Sequence, residues 1–165
     1  MERRRPISEL MTGDFTVAET RDPETGITVL VDDDGAPAGL VRAGQAGPAH
    51  VVEADTPVTD VLDSADLLHA LVSGTPGLVI VREGGIVGVV TAEAIKAEIV
   101  DAASSGLVSG PQLGDAQPYG RRTEVGSSRI RCAECGKTNT FRRFSQAGRY
   151  KCQYGDHDFV PYWNG

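Results

Sequence analysis

Short apolar runs separated by acidic, glycine-containing turns dominate the first two thirds of the chain. The segments ITVLVDDDGAPAGLVR (27–42) and GLVIVREGGIVGVVT (77–91) share one pattern: an apolar strand, a turn, and a second strand with a central glycine. Gly39 in the first segment corresponds to Gly88 in the second. Self-similarity of this kind indicates an internal structural repeat. We therefore expect two copies of one β-hairpin.

The residues between the two hairpins predict a strand followed by a helix. The run HVVEAD, residues 50–55, is typical of a short buried strand. Thr56 is suited to the N-cap of a helix, with Pro57 at its first position. Helical spacing then continues to Gly74. The apolar face predicted for this single helix comprises Val58, Val61, Leu62, Ala65, Leu68 and Val72.

A last helix follows the second hairpin, whereas the first copy lacks the middle helix. Thr91 is the predicted cap of the last helix, whose Ile95 and Ile99 share one apolar face. The first copy is about 14 residues shorter than the second between equivalent strands, which is the length of the middle helix. Alternating strands and helices predict an α/β (α+β) fold.

The order strand, helix, strand, strand, helix resembles a CBS domain, the cystathionine-β-synthase module. The segments TPVTDVL, which opens the middle helix, and GIVGVVT, which leads into the last one, carry the resemblance. It covers residues 6–103, with a truncated first copy at 6–45 and a complete second copy at 46–103. Such modules usually occur as tandem pairs that fold into one disc and commonly dimerise. The resemblance therefore implies a CBS-pair-like body and a homodimer.

The resemblance also implies a cleft for an adenosine-type nucleotide. Nucleotide-binding relatives carry a threonine and an aspartate in the first turn of the last helix. Here Thr91 keeps the hydroxyl, but Ala94 replaces the carboxylate, and the first copy has Arg42 and Gln45 at these positions. The implied ligand contacts are thus Thr91, Arg42 and Gln45. A solvated Arg42 and a Thr91 that only caps its helix are the alternatives.

Charge and aromatic content divide the chain near residue 120. Residues 1–120 carry a net charge of −12, whereas residues 121–165 carry +5. Eight of the nine aromatic residues lie between Tyr119 and Trp163. The stretch 104–128 is rich in Gly, Ser and Pro and is typical of a linker. We therefore expect a second, small unit at residues 129–165.

All three cysteines lie in this second unit, with the spacing of a metal site. Cys132 and Cys135 form a C-x2-C knuckle, and Cys152 with His157 forms C-x4-H. The residues between these pairs predict a β-hairpin with its turn at 146–148, which would bring the pairs face to face. The sequence therefore predicts a closed Cys3His site for structural zinc. The segment resembles a zinc ribbon in which the final Cys-x-x-Cys is replaced.

Two alternatives stay open at this point. Asp156 and Asp158 flank His157, and either carboxylate could substitute for it as the fourth ligand. Three free or redox-active thiols are the other interpretation. A unit of about 40 residues or fewer rarely folds without a staple, which favours the metal.

These features predict a regulatory or adaptor protein with a ligand-sensing or scaffolding body and a zinc-ribbon interaction arm. The residues proposed to contact an unknown protein partner are Arg142, Arg143 and Trp163. We expect about half of the aromatic residues to form the ribbon's own core instead. The alternative is nucleic-acid binding by basic residues interleaved with aromatics. That basic set comprises Arg121, Arg122, Arg129, Arg131, Arg142, Arg143, Arg149 and Lys151.

Other classes of function find no support in the sequence. No apolar run is long enough to cross a membrane and no signal peptide is recognisable, so we expect a cytoplasmic protein. His50 and His69 lie in a predicted strand and helix without a nucleophile motif nearby, which indicates structural roles. The acidic run 32–34 lacks the calcium-loop pattern and is interpreted as a hairpin tip. We therefore expect no enzymatic activity.

Overall fold

The computed structural model of the chain describes residues 4–19, 26–43, 45–104, 128–142, 144–145 and 148–164. Within these ranges the fold is mixed α+β, with two mixed β-sheets and three α-helices. The predicted fold class is thus confirmed. In the part of the chain so described, every helix is too short or too polar to cross a membrane.

The first sheet is built from the N-terminal part of the chain, in the order β1-β2-β3-β4. Its strands are β1 (Thr16–Ala18), β2 (Ile27–Val31), β3 (Pro37–Arg42) and β4 (Gln45–Gly47). β1 runs parallel to β2, and the other neighbours are antiparallel. A short 3-10 helix, Ile7–Leu10, precedes β1.

The second sheet has the strand order β7-β6-β5-β8-β9. It joins the middle of the chain to the C-terminal segment, which is the described part of residues 128–164. Its strands are β5 (Ala49–Glu53), β6 (Gly77–Arg82), β7 (Gly85–Thr91), β8 (Ser128–Arg131) and β9 (Thr138–Phe141). β5 and β6 are parallel, and the other neighbours are antiparallel. The helices are α1 (Val58–Leu62), α2 (Ala65–Val72) and α3 (Ala92–Ser104), and a 3-10 helix spans Tyr162–Asn164.

The internal repeat predicted from the two hairpins is present in the structure. In the β2–β3 hairpin Leu30 pairs with Gly39, and in the β6–β7 hairpin Ile80 pairs with Gly88. Each hairpin has a register shift directly after that pair. Each also has a parallel strand beside its first strand, β1 in one case and β5 in the other.

The prediction of a single middle helix is wrong, because the helix is interrupted at residues 63 and 64 and forms two helices, α1 and α2. The Ser64 hydroxyl accepts a hydrogen bond from the Leu67 N–H at 3.3 Å and begins a new helix. This break shifts the helical phase, so Leu67 is fully buried while Leu68 is 48% exposed and Val72 is 89% exposed. The apolar face predicted for residues 65–72 therefore points the wrong way.

The predicted cap of the first helix is wrong as well. Pro57, with an extended backbone, occupies the N-cap of α1, and no side chain caps the helix there. The N–H of Val58 instead donates to the carbonyl oxygen of Arg5 at 2.8 Å. The N-terminal segment therefore satisfies a backbone donor that we assigned to Thr56.

The core consists of two apolar layers on opposite faces of the central strand β6. Leu78 and Ile80 pack against the helices, whereas Val79 and Val81 pack against β2 and β3. Successive side chains of a strand point to opposite faces, so a strand buried on both faces is apolar throughout. Ile95 and Ile99 of α3 join the helical layer, as their spacing predicted.

The C-terminal segment extends the second sheet through β8. Ala49 pairs with Arg129, and His50 pairs with Ser128, which places β8 beside β5. The predicted linker at 104–128 lies almost entirely outside the described residues. Whether the segments on either side fold as separate units stays a prediction.

Candidate metal centre

The cysteine knuckle is the turn of the β8–β9 hairpin. The Cys132 N–H donates to the carbonyl oxygen of Lys137 at 2.8 Å, and the Gly136 N–H donates to that of Cys132 at 2.9 Å. Gly136 has a φ of +73°, a conformation that glycine adopts without strain. These bonds hold Cys132 and Cys135 on one side of the turn. The hairpin predicted around residues 146–148 is a different one and stays a prediction, because Gln146 and Ala147 lie outside the described residues.

A second turn supplies the other two candidate ligands. The Cys152 N–H donates to the carbonyl oxygen of His157 at 3.1 Å, so these two residues lie across the mouth of one loop. Gly155 lies beneath the imidazole ring, and a Cβ atom there would come within 2.8 Å of His157 Nδ1. A larger residue at position 155 would therefore displace the ring.

Two contacts hold the loop against the knuckle. The Ala133 N–H donates to the carbonyl oxygen of Val160 at 2.7 Å. Asn139 is fully buried, its Nδ2 lies 3.5 Å from Cys152 Sγ, and its Oδ1 accepts the Gln153 N–H at 2.7 Å. Asn139 was not predicted from the sequence. An amide in a β-strand two residues after the knuckle carries no signal until the fold brings Cys152 beside it.

Two of the distances between the four ligand atoms match those of a tetrahedral zinc site. Cys132 Sγ lies 3.5 Å from His157 Nε2, and Cys135 Sγ lies 3.6 Å from Cys152 Sγ. All four atoms lie within 4.8 Å of one another. Zinc bonds of about 2.3 Å to sulfur and about 2.0 Å to nitrogen place tetrahedral ligands about 3.5–3.8 Å apart. The cluster could therefore hold a metal ion such as zinc.

The surroundings shift the pKa values of the three thiols in different directions. Burial raises the pKa of Cys132, but backbone N–H groups, that of Val160 first, outweigh it and lower the pKa below its ordinary value. The pKa of Cys152 is lowered in the same way, with burial opposed chiefly by the Tyr154 N–H. Desolvation and then the neighbouring thiols raise the pKa of Cys135. The surroundings of Cys132 and Cys152 thus favour the thiolate, the form that binds metal, more than those of an ordinary cysteine do.

Of the three residues considered for the fourth ligand, His157 lies in the cluster. The carboxylate of Asp158 accepts a hydrogen bond from Lys151 Nζ at 2.9 Å, and this contact lowers the pKa of Asp158. Asp156 is exposed. An imidazole with three thiolates is a donor set that suits zinc.

The aromatic residues of the C-terminal segment pack around the candidate metal centre. Phe144 and Phe159 are buried together with Ile130, Cys132 and Cys152. Around them lie the partly buried rings of Phe141, Tyr150, Tyr162 and Trp163. Trp163, considered for a partner surface, packs edge-on against Phe144 with ring centroids 5.8 Å apart. Arg142 is exposed, and Arg143 lies outside the described residues.

Polar contacts attach the C-terminal segment to the acidic tip of the first hairpin. Arg129 Nε donates to the Pro37 carbonyl oxygen at 2.7 Å, and its guanidinium lies 3.5 Å from the Asp32 carboxylate. Thr138 Oγ1 donates to the same carboxylate at 3.2 Å. Asp32 thus has a structural role in the acidic turn, which the sequence indicated only as a hairpin tip.

Tyr162 makes a second attachment at the central glycine of the first hairpin. Its hydroxyl donates to the Gly47 carbonyl oxygen at 2.9 Å. A Cβ atom on Gly39 would overlap the tyrosine ring. Met11 occupies the equivalent position over Gly88 in the second hairpin. The two glycines therefore mark equivalent notches that two different parts of the chain fill.

The three residues proposed as nucleotide contacts all bond within the chain. Arg42 forms an ion pair with Glu93 in the first turn of α3. Gln45 Nε2 donates to the Gly74 carbonyl oxygen at 2.9 Å. Thr91 Oγ1 accepts the Ala94 N–H at 3.2 Å and so caps α3, as the sequence predicted. A role in ligand binding stays a prediction for all three.

No protein-family model matches this chain, and no curated protein does. Among solved structures, an uncharacterized conserved protein from Pyrococcus horikoshii is similar at 18% sequence identity and a TM-score of 0.39. The similarity covers 60% of this chain and 95% of that one. A TM-score of this size carries no inference, so fold and site are interpreted from their own geometry and chemistry.

Proposed function

We propose that this protein is a non-catalytic regulatory or adaptor protein in which a structural zinc ion holds the C-terminal segment against a CBS-type body. The observation that carries the proposal is the group of Cys132, Cys135, Cys152 and His157 within 4.8 Å. Four protein ligands complete a tetrahedral zinc ion and leave no coordination position for water or substrate. Such a site stabilises structure and does not activate a nucleophile.

Zinc would act as the main staple of the C-terminal segment. Among the described residues, the apolar cluster around it has five buried members, two of which are the ligands Cys132 and Cys152. A core of this size does not offset the entropy of ordering the chain, whereas zinc binding in small domains supplies folding free energy directly. The ion would join the knuckle to the loop at 152–157. Because β8 leads into the knuckle and pairs with β5, zinc would also stabilise the pairing of β8 with the second sheet.

Within this proposal the CBS-type body is chiefly a scaffold. A nucleotide would compete with the contacts that Arg42, Gln45 and Thr91 already make within the chain. The resemblance to tandem CBS modules supports a homodimer. Three reduced thiols favour a reducing compartment such as the cytoplasm.

Nucleic-acid binding receives less support from the same contacts. Arg129 and Arg131, two of the basic residues considered for phosphate, bond to Pro37 and Glu19 of the body. Lys151 forms an ion pair with Asp158. The acidic body adds long-range repulsion of a polyanion.

Fluorescence of the single tryptophan tests the proposal. Trp163 packs against Phe144 and Tyr162, so its emission reports on the packing of the C-terminal segment. We expect chelation of zinc from the full-length protein to shift the emission to longer wavelength, and added zinc to reverse the shift. Circular dichroism of the same sample should retain the signal of the body. Emission that chelation leaves unchanged would contradict a structural role for the metal.

A further inference from the structure

The three cysteines of the candidate zinc centre differ sharply in their access to solvent. Cys132 is fully buried, Cys152 is 6% exposed, and Cys135 at the turn of the knuckle is exposed. Oxidation of a cysteine depends on access of the oxidant to sulfur as well as on thiolate character. A small oxidant in solvent would therefore meet Cys135 first.

The sulfur positioned to react next is that of Cys152. Cys135 Sγ and Cys152 Sγ lie 3.6 Å apart, although 17 residues separate them along the chain. A disulfide requires a sulfur–sulfur distance of about 2.05 Å, so closing the bond takes a movement of about 1.5 Å. Cys132 is held differently, since its sulfur lies 3.5 Å from His157 Nε2.

We propose that Cys135 is an oxidation site, and that a hydroperoxide converts Cys135 and Cys152 into a disulfide with release of the zinc ion. The inference rests on the proposed zinc centre and adds its regulation. It is a modification site built from the exposed sulfur of Cys135, which zinc would hold as a thiolate, the sulfur of Cys152 beside it and a metal that depends on both.

The reaction balances as a two-electron oxidation. The Cys135 thiolate attacks one peroxide oxygen, so an S–O bond forms, the O–O bond breaks, and the leaving oxygen takes a proton. The Cys152 thiolate then attacks the Cys135 sulfur, the S–S bond forms, and hydroxide leaves and is protonated to water. Two thiolates lose one electron each, while hydrogen peroxide and two protons become two molecules of water.

A disulfide between Cys135 and Cys152 would remove two of the four zinc ligands. Cys132 and His157 would remain as the only donors, and two ligands do not complete the coordination that a structural zinc site requires. Without the ion, the loop at 152–157 is no longer tied to the knuckle that ends β8. Oxidation would thus loosen the contacts of β8 with β5 and of Tyr162 with Gly47.

Peroxide treatment of the zinc-loaded full-length protein tests the inference. Zinc content is measured first by elemental analysis, and release is then followed with a zinc-binding dye. We expect one equivalent of zinc to be lost for each disulfide formed, and dithiothreitol with added zinc to restore the bound metal. Removal of zinc by a chelator without oxidant is the control, and it should yield no disulfide.

Peptide mapping identifies the bonded pair. Trypsin leaves Cys132 and Cys135 in one peptide, CAECGK, so a second, glutamate-specific protease is needed to cut after Glu134. We expect the Cys135 fragment to be linked to the peptide that begins at Cys152. Zinc retention in peroxide, a Cys132–Cys135 bond, a Cys132–Cys152 bond or oxidation without any disulfide would overturn the inference.

A conservative variant separates this inference from the zinc centre itself. Cys135→His keeps four zinc ligands but removes the exposed thiol. If the variant binds zinc, it should keep the metal in peroxide, and release at the wild-type rate would overturn the inference. If the variant binds no zinc, the peptide map of the wild type decides. Wild-type protein without zinc before any oxidant would instead refute the zinc centre, and the inference with it.

Discussion

At the scale of single residues, the candidate metal centre depends on backbone geometry as much as on its ligands. Gly136 allows the tight turn that places two thiols together, and Gly155 leaves room for the imidazole ring. Asn139 bonds to the loop that carries Cys152. Residues such as Asn139, which contact the metal ligands without binding the metal, orient those ligands, and their loss typically weakens metal binding.

Replacement of the fourth ligand is predicted to remove the metal. His157→Ala leaves three thiols around the site, so we expect it to lose most of its zinc on dialysis against a weak chelator. Asp156→Asn is the matched control, because the neighbouring carboxylate is exposed and outside the cluster. Elemental analysis of both variants measures the effect. Loss of zinc in the aspartate variant with retention in the histidine variant would reverse the ligand assignment.

The notch at Gly39 is predicted to tolerate no side chain. Gly39→Ala would force a methyl group into the ring of Tyr162, and overpacking of this kind costs about 1–3 kcal/mol. Gly85→Ala is the control, because its Cβ would lie 3.6 Å from the nearest atom, an ordinary contact. Chemical denaturation measures the free energy of unfolding of each variant. Equal free energies of unfolding for the two variants would contradict the packing of Tyr162 of the C-terminal segment against Gly39.

At the scale of elements, the sequence predicted the strands better than the helices. β6 was predictable from the sequence, because a strand that is buried on both faces is a short, continuous apolar run. The break at Ser64 was not predicted, since apolar residues continue at helical spacing across it. The extended backbone of Ser64 and the hydrogen bond from the Leu67 N–H to its hydroxyl show that α2 is a new helix.

The metal ligands were predictable for a similar reason. Their spacing of C-x2-C and C-x4-H is local, and each pair lies on one turn. The pairing of β8 with β5 was not predictable, because β5 ends at residue 53 and β8 begins only at residue 128. Nor did the sequence indicate that Tyr162 fills the notch at Gly39, a contact between residues 123 positions apart.

The altered phase of α2 predicts opposite outcomes for two adjacent leucines. Leu67 is fully buried and Leu68 is 48% exposed. We expect Leu67→Ala to lower the free energy of unfolding by about 2–5 kcal/mol, as buried leucines do. Leu68→Ala should change it by less than about 1 kcal/mol. Urea denaturation compares the two, and a larger effect at position 68 would restore the single helix predicted from the sequence.

At the scale of the whole molecule, the C-terminal segment completes the second sheet and reaches across to the first. β8 pairs with β5, Arg129 contacts Asp32, and Tyr162 bonds to Gly47. The acidic body and the basic C-terminal segment thus meet within one chain. If zinc orders that segment, the metal also controls how these three attachments form.

Zinc retention is predicted to fall as the pH falls, because protons compete with the metal for its ligands. The pKa values of Cys132 and Cys152 are lowered, so these thiolates persist to lower pH than ordinary thiols. The pKa of Cys135 is raised, so this sulfur is the first of the three to take up a proton. Zinc transfer to a competing dye, measured from about pH 8 to about pH 5, should increase steadily. Transfer independent of pH would contradict thiolate ligation.

X-ray absorption at the zinc edge of the purified full-length protein tests the central claim most directly. A closed Cys3His centre predicts three sulfur neighbours at about 2.3 Å and one nitrogen at about 2.0–2.1 Å. That result would establish a structural zinc ion held by Cys132, Cys135, Cys152 and a nitrogen ligand, which His157 supplies in the cluster. Two or more light-atom neighbours, or protein without zinc, would contradict the account.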